Sequence, residues 1–401
     1  MPTRNTREAL MQTVNDILDR VPLVDGHNDF PWHIRLDTAI NGSLARLNMS
    51  QDLRKVLKYR AKFHPSQTDI PRIKKGRLGA QFWVSFASCE SQFKDATVKA
   101  LEQLDLIKRM IAQYSDVFEF VTTADGIESA HKSVKVASLL AVEGGHHIRS
   151  SLGVLRMFYE LGVRYMTLTW NCNTPWADCN VATRQRKPVH HGLTDFGKIV
   201  VKEMNRLGMM VDLSHVAVDT MHAALNVSEA PVIFSHSSAF ALCPHVRNVP
   251  DDVLVRVKEN GGIVMVNFYN DFINCSSENT YTGEQDWRPA DINQVIEHIE
   301  YIRNITGVDH VGLGSDFDGI DRYPVGLEDV SKFPNILYEL MSRGWSEEEL
   351  EKLAGKNFLR VFRKVEEVKM SKVDQPAFEN LIDINEIPDH SCISTNWEIF
   401  G

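Results

Sequence analysis

Short apolar runs rich in β-branched residues alternate along this chain with longer stretches whose apolar positions recur every three or four residues. The first pattern is that of buried strands and the second that of one-faced helices, and their regular alternation is the signature of parallel βα units. Eight strands are predicted, at 22–27, 80–86, 136–143, 163–170, 209–215, 230–236, 261–268 and 310–316. The stretch 194–207 shows what lies between them: Phe196, Ile199, Val200, Met204 and Leu207 fall on one helical face, and Gly208 supplies the stop.

Eight such units predict a closed (β/α)8 barrel, with an open doubly wound sheet as the alternative. No Gly-x-Gly-x-x-Gly turn follows any of the runs. After the last strand a helical pair is expected, the second member opened by Ser346 and Glu349 as a capping box, and from about Asp374 a polar tail. Residues 1–373 are therefore read as one barrel domain and 374–401 as a tail that straps the barrel or forms an interface arm.

Composition narrows the function classes. With 43% hydrophobic and 24% charged residues the chain is globular rather than disordered or fibrous. Its net charge of -9 is dispersed, and the two short basic runs at 72–77 and 184–187 read as solvated surface, so nucleic acid is not an expected partner. No apolar stretch reaches the length of a spanning helix, the start MPTRNTREAL lacks the apolar segment of a signal peptide, and residues 396–401 lack the hydrophobic tail of a lipid-anchor signal. Six cysteines and Asn-x-Ser/Thr triplets at Asn41, Asn48, Asn226, Asn274 and Asn304 point the other way, to an extracellular or cell-surface glycoprotein.

The chemistry-bearing residues fall where a barrel would use them. His27 and Asp29 close the first strand, Glu143 the third, His215 the fifth, His236 the sixth and Asp316 the eighth. The C-terminal ends of all barrel strands converge on one mouth, so six ligand-type residues would meet there. In an extended segment positions i and i+2 share a side, so His27 and Asp29 could hold one ion together. His215 and His236 suit a second ion, and Glu143 could bridge the two. Imidazole and carboxylate without thiolate fit a catalytic site better than a closed structural one. His33, His64, His131, His222, His245 and His298 end no strand and are read as ordinary.

The segments VDGHNDFPW, AVEGGHHI, LTWNCNTPWAD, VKEMNRLGMMVDLSHV, APVIFSHSSAF, RNVPDDVL, MVNFYNDF and GSDFDG resemble, in order, the motifs of the membrane (renal) dipeptidases, zinc enzymes related to the amidohydrolase superfamily. The likeness runs from about Pro22 to Phe362. It implies a zinc metallodipeptidase with two ions, held by His27 and Asp29, by His215 and His236, and by a bridging Glu143. Asp316 is then the acid/base residue beside the bridging hydroxide that attacks the scissile carbonyl, and Arg247 grips the carboxylate of the dipeptide. One position departs from the pattern. Where the family carries a histidine that binds substrate and stabilises the oxyanion, this chain has Trp170. Indole donates one hydrogen bond but cannot act as imidazolium, and loss of an oxyanion donor costs about 10²–10³ in turnover. His146 and His147 are candidate substitutes.

The same resemblance implies disulfides Cys89–Cys172 and Cys243–Cys275, and a homodimer linked through Cys392, with Cys179 left as a free thiol. Spacing alone leaves fifteen pairings of six cysteines open, and reduced, buried cysteines remain the competing reading. Three functions stay in view: an active dipeptidase, a zinc-binding dipeptidase-like protein acting as a binding or interaction module because of Trp170, and a different amidohydrolase reaction. The His-x-Asp opening motif argues against the last, since many of those enzymes carry His-x-His.

Overall fold

The computed structural model describes residues 4–37, 40–55, 65–185, 187–275 and 288–389. Among the described residues nine parallel strands form the sheet: β1 Leu23–Asn28, β2 Leu78–Phe86, β3 Phe118–Phe120, β4 Val136–Glu143, β5 Val163–Thr167, β6 Met210–Asp212, β7 Ile233–Phe234, β8 Ile263–Val266 and β9 Val311–Leu313. Hydrogen bonds run β2-β1-β9-β8-β7-β6-β5-β4-β3, and β2 also pairs with β4, from Ala80 against Ala137 to Phe86 against Glu143. That last pairing closes eight strands into a barrel, with helices around it as predicted. All eight expected runs are barrel strands.

The ninth strand, β3, was not expected. It pairs with the first three residues of β4 and leaves β5 to pair with the rest, so it occupies the edge of β4 below the point where β5 begins. The helix Arg4–Arg20 was also unforeseen, although Val14, Ile17 and Leu18, with Val21 just past its end, give it a buried face at helical spacing. It packs on the helix Phe333–Ser342.

Alternation along the strands separates two cores. In β2, Ala80, Phe82, Val84 and Phe86 point into the barrel with Ala137, Leu139 and Ala141 of β4, Tyr165, Met210, Ile233, Ile263 and Met265. Residues of the other phase, such as Leu140, Val142, Val211 and Val264, meet the surrounding helices. The helix Asn357–Ser371 adds Phe358 and Phe362 to the inner core, and Phe358 meets Phe82 edge-on at 5.4 Å between centroids. Gly355, just before it, lies so close to Pro22 at the start of β1 that a Cβ would come within 2.1 Å of its carbonyl oxygen. The C-terminal helices therefore close the barrel end opposite the mouth.

Local signals behave as their chemistry demands. Thr194 caps the helix Asp195–Leu207 through Gly197 N, and Gly208 ends it in the left-handed region at φ 83°. Ser346 and Glu349 form the capping box. The basic run at 72–77 is not all surface: Arg72 is buried and bonds Asp69, the cap of its own helix, at 2.8 Å. In the tail, Phe378 N donates to the buried Glu203, and Arg156 donates to the Phe378 carbonyl. Cys392 lies outside the described residues, as does His64. Among the described residues no helix is long and apolar enough to cross a membrane.

Candidate metal centre

Glu143 closes β4 in phase with Ala137, Leu139 and Ala141, so strand alternation alone turns its carboxylate into the barrel mouth. Its Oε1 lies 3.0 Å from His215 Nε2, 3.4 Å from His236 Nε2 and 3.7 Å from His27 Nε2. His27 Nε2 is in turn 3.4 Å from Asp29 Oδ2 and 3.9 Å from Asp316 Oδ1. The six residues expected at the mouth are brought together there, and all are buried.

They do not all arrive in the way expected. The hydrogen-bonded parts of β5, β6, β7 and β9 end at Thr167, Asp212, Phe234 and Leu313, so Trp170, His215, His236 and Asp316 lie in the loops two or three residues further on. His215 and Asp316 take left-handed backbone, at φ 69° and 64°, and this reverses the direction a strand residue would face. Asp29 is likewise not extended. It has φ -95° and ψ 15° at the head of the helix Phe30–Leu36, and it meets His27 from a turn rather than from the same side of a strand.

A polar layer of the barrel interior lies beneath these residues, and sequence reasoning missed it. His27 Nδ1 is 2.9 Å from Tyr165 Oη, whose own proton goes to Gly26 O at 2.8 Å; the imidazole must therefore donate from Nδ1, which leaves Nε2 as the nitrogen that faces the cluster. His236 Nδ1 is 2.8 Å from Ser235 Oγ, which donates to Asp212 Oδ2 at 2.5 Å, giving the same tautomer. His215 Nδ1 faces Asn171 Oδ1 at 3.1 Å. Asn267 donates to Asp316 Oδ2 at 2.8 Å. Tyr165, Asp212, Ser235 and Asn267 each continue the inward phase of their strand, which is the signal that could have found them.

Three imidazoles thus turn Nε2 toward one carboxylate, and this donor set fits a divalent metal. His27 Nε2 and Asp29 Oδ1 are buried without a hydrogen-bond partner, as ligand atoms lacking their ion would be. Gly319 leaves room for the cluster, since a Cβ there would lie 2.1 Å from Asp29 Oδ2 and 2.9 Å from Asp316 Oδ1. Gly144, at φ 104°, lets the chain turn away directly after Glu143.

Electrostatics agree. Burial, aided by Asp29 and Asp316 against the pull of His27 and Arg247, holds Glu143 well above the usual carboxylate range. Burial likewise raises Asp316 to about 7, with His27 opposing and Asp29 adding. His215 and His236 are pushed well down, by burial first and then by the positive charges of Arg247 and His27, so both are neutral. Burial also opposes charge on His27, but Asp29, Glu143 and Asp316 together outweigh it and raise its pKa to about 10. A proton on His27 Nε2 and a cation are thus alternatives for one place among three carboxylates.

The cluster opens into a cavity of about 330 Å³ lined by Asp29, Glu143, His215 and Asp316, by Arg247, and by Trp170. Arg247 is 3% exposed, held by the His236 carbonyl at 3.1 Å and Ser237 Oγ at 3.3 Å, with its guanidinium 5.3 Å from the Phe272 ring centre. His33, read as ordinary from sequence, is also on the wall, 3.3 Å from Asp318 Oδ1. His146 and His147 are not. Their rings turn to the carbonyls of Ala87 and Gly144, away from the cavity lining. The disulfides Cys89–Cys172 and Cys243–Cys275 are formed, each joining two loops at the mouth, and Cys179 is free and buried.

The family model for membrane dipeptidases, peptidase family M19, matches residues 11–375. Dipeptidase 3 of Mus musculus is 44% identical over 379 residues, covering 93% of this chain and 69% of the relative. Dipeptidase 3 of Homo sapiens is 45% identical over 377 residues, covering 94% and 70%. Among solved structures, a metallo peptidase from Rhodobacter sphaeroides, liganded with a phosphinate mimic of the dipeptide L-Ala-D-Ala, has a TM-score of 0.71 at 25% identity and covers 86% of this chain and 99% of that one.

Proposed function

The chain belongs to the membrane dipeptidase family, peptidase family M19, and from that premise we propose that it is a binuclear zinc dipeptidase. The observation that carries this reading is the convergence of three imidazole Nε2 atoms on Glu143 Oε1, with Asp29 and Asp316 beside them. His27 and Asp29 would hold one zinc ion, His215 and His236 the other, and Glu143 both. Bound zinc supplies Lewis acidity, which lowers the pKa of water toward neutrality and polarises the scissile carbonyl.

The chain's own groups do the rest. Asp316 has its Oδ1 beside the ligand cluster, 3.9 Å from His27 Nε2, and its Oδ2 fixed by Asn267, so it can take a proton from the attacking water and return it to the leaving amine. Arg247 presents a buried guanidinium suited to bidentate binding of the substrate carboxylate. The exposed Asn41, Asn48, Asn226 and Asn304, with the two disulfides, support an extracellular glycoprotein, and Cys392 is assigned to a homodimer link. Residues 1–373 are assigned to the barrel domain and 374–401 to an interface strap.

The test is elemental analysis of zinc per chain together with release of free amino acids from a dipeptide panel. Two ions and turnover are expected; a chain that binds no zinc overturns the assignment. Trp170 favours a second reading, a zinc-binding relative that binds dipeptides without cleaving them, and zinc with no release from any dipeptide would select it.

A further inference from the structure

Three aromatic side chains form one continuous wall of the cavity. Trp32 and Phe86 meet edge-on at 5.0 Å between ring centres, and Phe86 and Trp170 meet edge-on at 4.7 Å. The Trp170 ring is 6.0 Å from that of His215, so the wall runs up to the imidazoles that face Glu143. Phe86 is 8% exposed, while Trp32 and Trp170 are half-buried and complete the lining.

The wall is fixed from behind. Phe86 ends β2 in the inward phase, between the barrel core and the mouth. The Cys89–Cys172 disulfide ties the segment three residues after Phe86 to the segment two residues after Trp170. On either side of Trp170, Asn171 is engaged by His215 Nδ1 and Thr169 Oγ1 donates to the His215 carbonyl. A surface held in this way is preorganised and loses little freedom when a ligand covers it. The other cavity groups near the cluster, Asp29, Glu143, Asp316 and Arg247, are ionisable, and of these Asp316 and Arg247 match the polar backbone and terminus of a dipeptide. The wall offers those groups nothing. Its flat apolar surface matches a side chain.

We propose that the wall of Trp32, Phe86 and Trp170 is a specificity site for a flat aromatic or broad apolar side chain of the substrate, with Trp170 as the residue that selects it. This rests on the dipeptidase reading. A smaller polar ring at position 170 would end the apolar surface at Phe86, so the indole exchanges a polar contact to the substrate backbone for a side-chain subsite.

The test uses the zinc-loaded full chain and phosphinate analogues of Ala-Ala, Ala-Phe and Phe-Ala, with Kd by calorimetry, in the native chain and in Trp170→Phe, Trp170→Ala and Trp170→His. One of the two aromatic analogues should bind the native chain about 10- to 100-fold more tightly than the methyl one. Trp170→Phe should keep most of that ratio, and Trp170→Ala and Trp170→His should lose it. Equal affinity of all three analogues for the native chain, or an unchanged ratio in a folded Trp170→Ala, overturns the proposal alone. No binding of any analogue overturns the dipeptidase reading and the proposal with it.

Discussion

The polar layer beneath the imidazoles gives a prediction in which each residue has a counterpart. Ser235→Ala removes the acceptor of His236 Nδ1–H and one donor to Asp212, while the backbone amides of Ser214 and Ser235 still bond Asp212 Oδ1 at 3.0 and 2.9 Å. Tyr165→Phe removes the acceptor of His27 Nδ1–H in the same way. A buried donor left without a partner costs about 1–3 kcal/mol: His27, already protonated on Nε2, bears that cost in its ligating form, and the neutral His236 ring avoids it by moving its proton to Nε2, the atom needed for a metal. The ligating tautomer then has to be regained on binding. Orienting partners of this kind contribute about 10- to 100-fold in metal affinity, or about 1.4–2.7 kcal/mol.

Zinc affinity measured by competition against a chromophoric chelator, with stoichiometry from elemental analysis, should therefore fall about 10- to 100-fold for one of two ions in each variant. The ion affected should be the one at His215 and His236 in Ser235→Ala and the one at His27 and Asp29 in Tyr165→Phe. Metal-free melting temperatures serve as the control, since a merely structural role would lower them and spare the affinity. Affinities within twofold of native in both variants would refute the reasoning.

Three further outcomes follow from other parts of the molecule. If Trp170 stands where an oxyanion donor is missing, Trp170→His should raise kcat on Ala-Ala about 10²- to 10³-fold in a continuous amino-acid release assay, and no gain would remove that role from the position. Glu203 is buried with Arg206 at 2.7 Å and Arg156 at 3.0 Å; burial pushes its carboxyl up, but the two guanidinium groups outweigh this and hold it below the ordinary range. A lowered folded pKa stabilises above the unfolded value of about 4.3 and loses that contribution as pH falls. Urea melts should accordingly show Glu203→Gln destabilised by about 1–3 kcal/mol at pH 7, with the gap closing below about pH 4, and a pH-independent gap would contradict the ion-pair account. Removing the Cys89–Cys172 bridge, which spans 83 residues, by a double Cys→Ser substitution should cost about 4.5 kcal/mol by loop entropy, read from the same melts; a loss under about 1 kcal/mol would refute that estimate.

Much of this architecture was legible because barrels write themselves in two periods. Eight inward-phased apolar runs, each followed by a one-faced helix, left few alternatives to closure, and the acids and histidines near their ends located the mouth. β3 escaped because three residues, of which Phe120 is partly exposed, carry too little alternation to be seen. The helix Arg4–Arg20 was as readable as any other, but it precedes the first strand and belongs to no βα unit.

The site itself divides along the same line. Glu143 could be placed by counting in twos from Ala137, and so could Tyr165, Asp212, Ser235 and Asn267, had inward polar positions been given the weight of inward apolar ones. His215 and Asp316 could not, because a left-handed residue breaks the count and the sequence carries no glycine there to announce it. His33 was passed over because it sits on the helix after β1 rather than at a strand end, and only the packing of Asp318 against it brings it to the wall. A barrel mouth is assembled from the strand ends together with the first turns of the loops that follow. Phase reasoning reaches the former, and the latter become visible only when the backbone that carries them has been followed past its last ladder hydrogen bond.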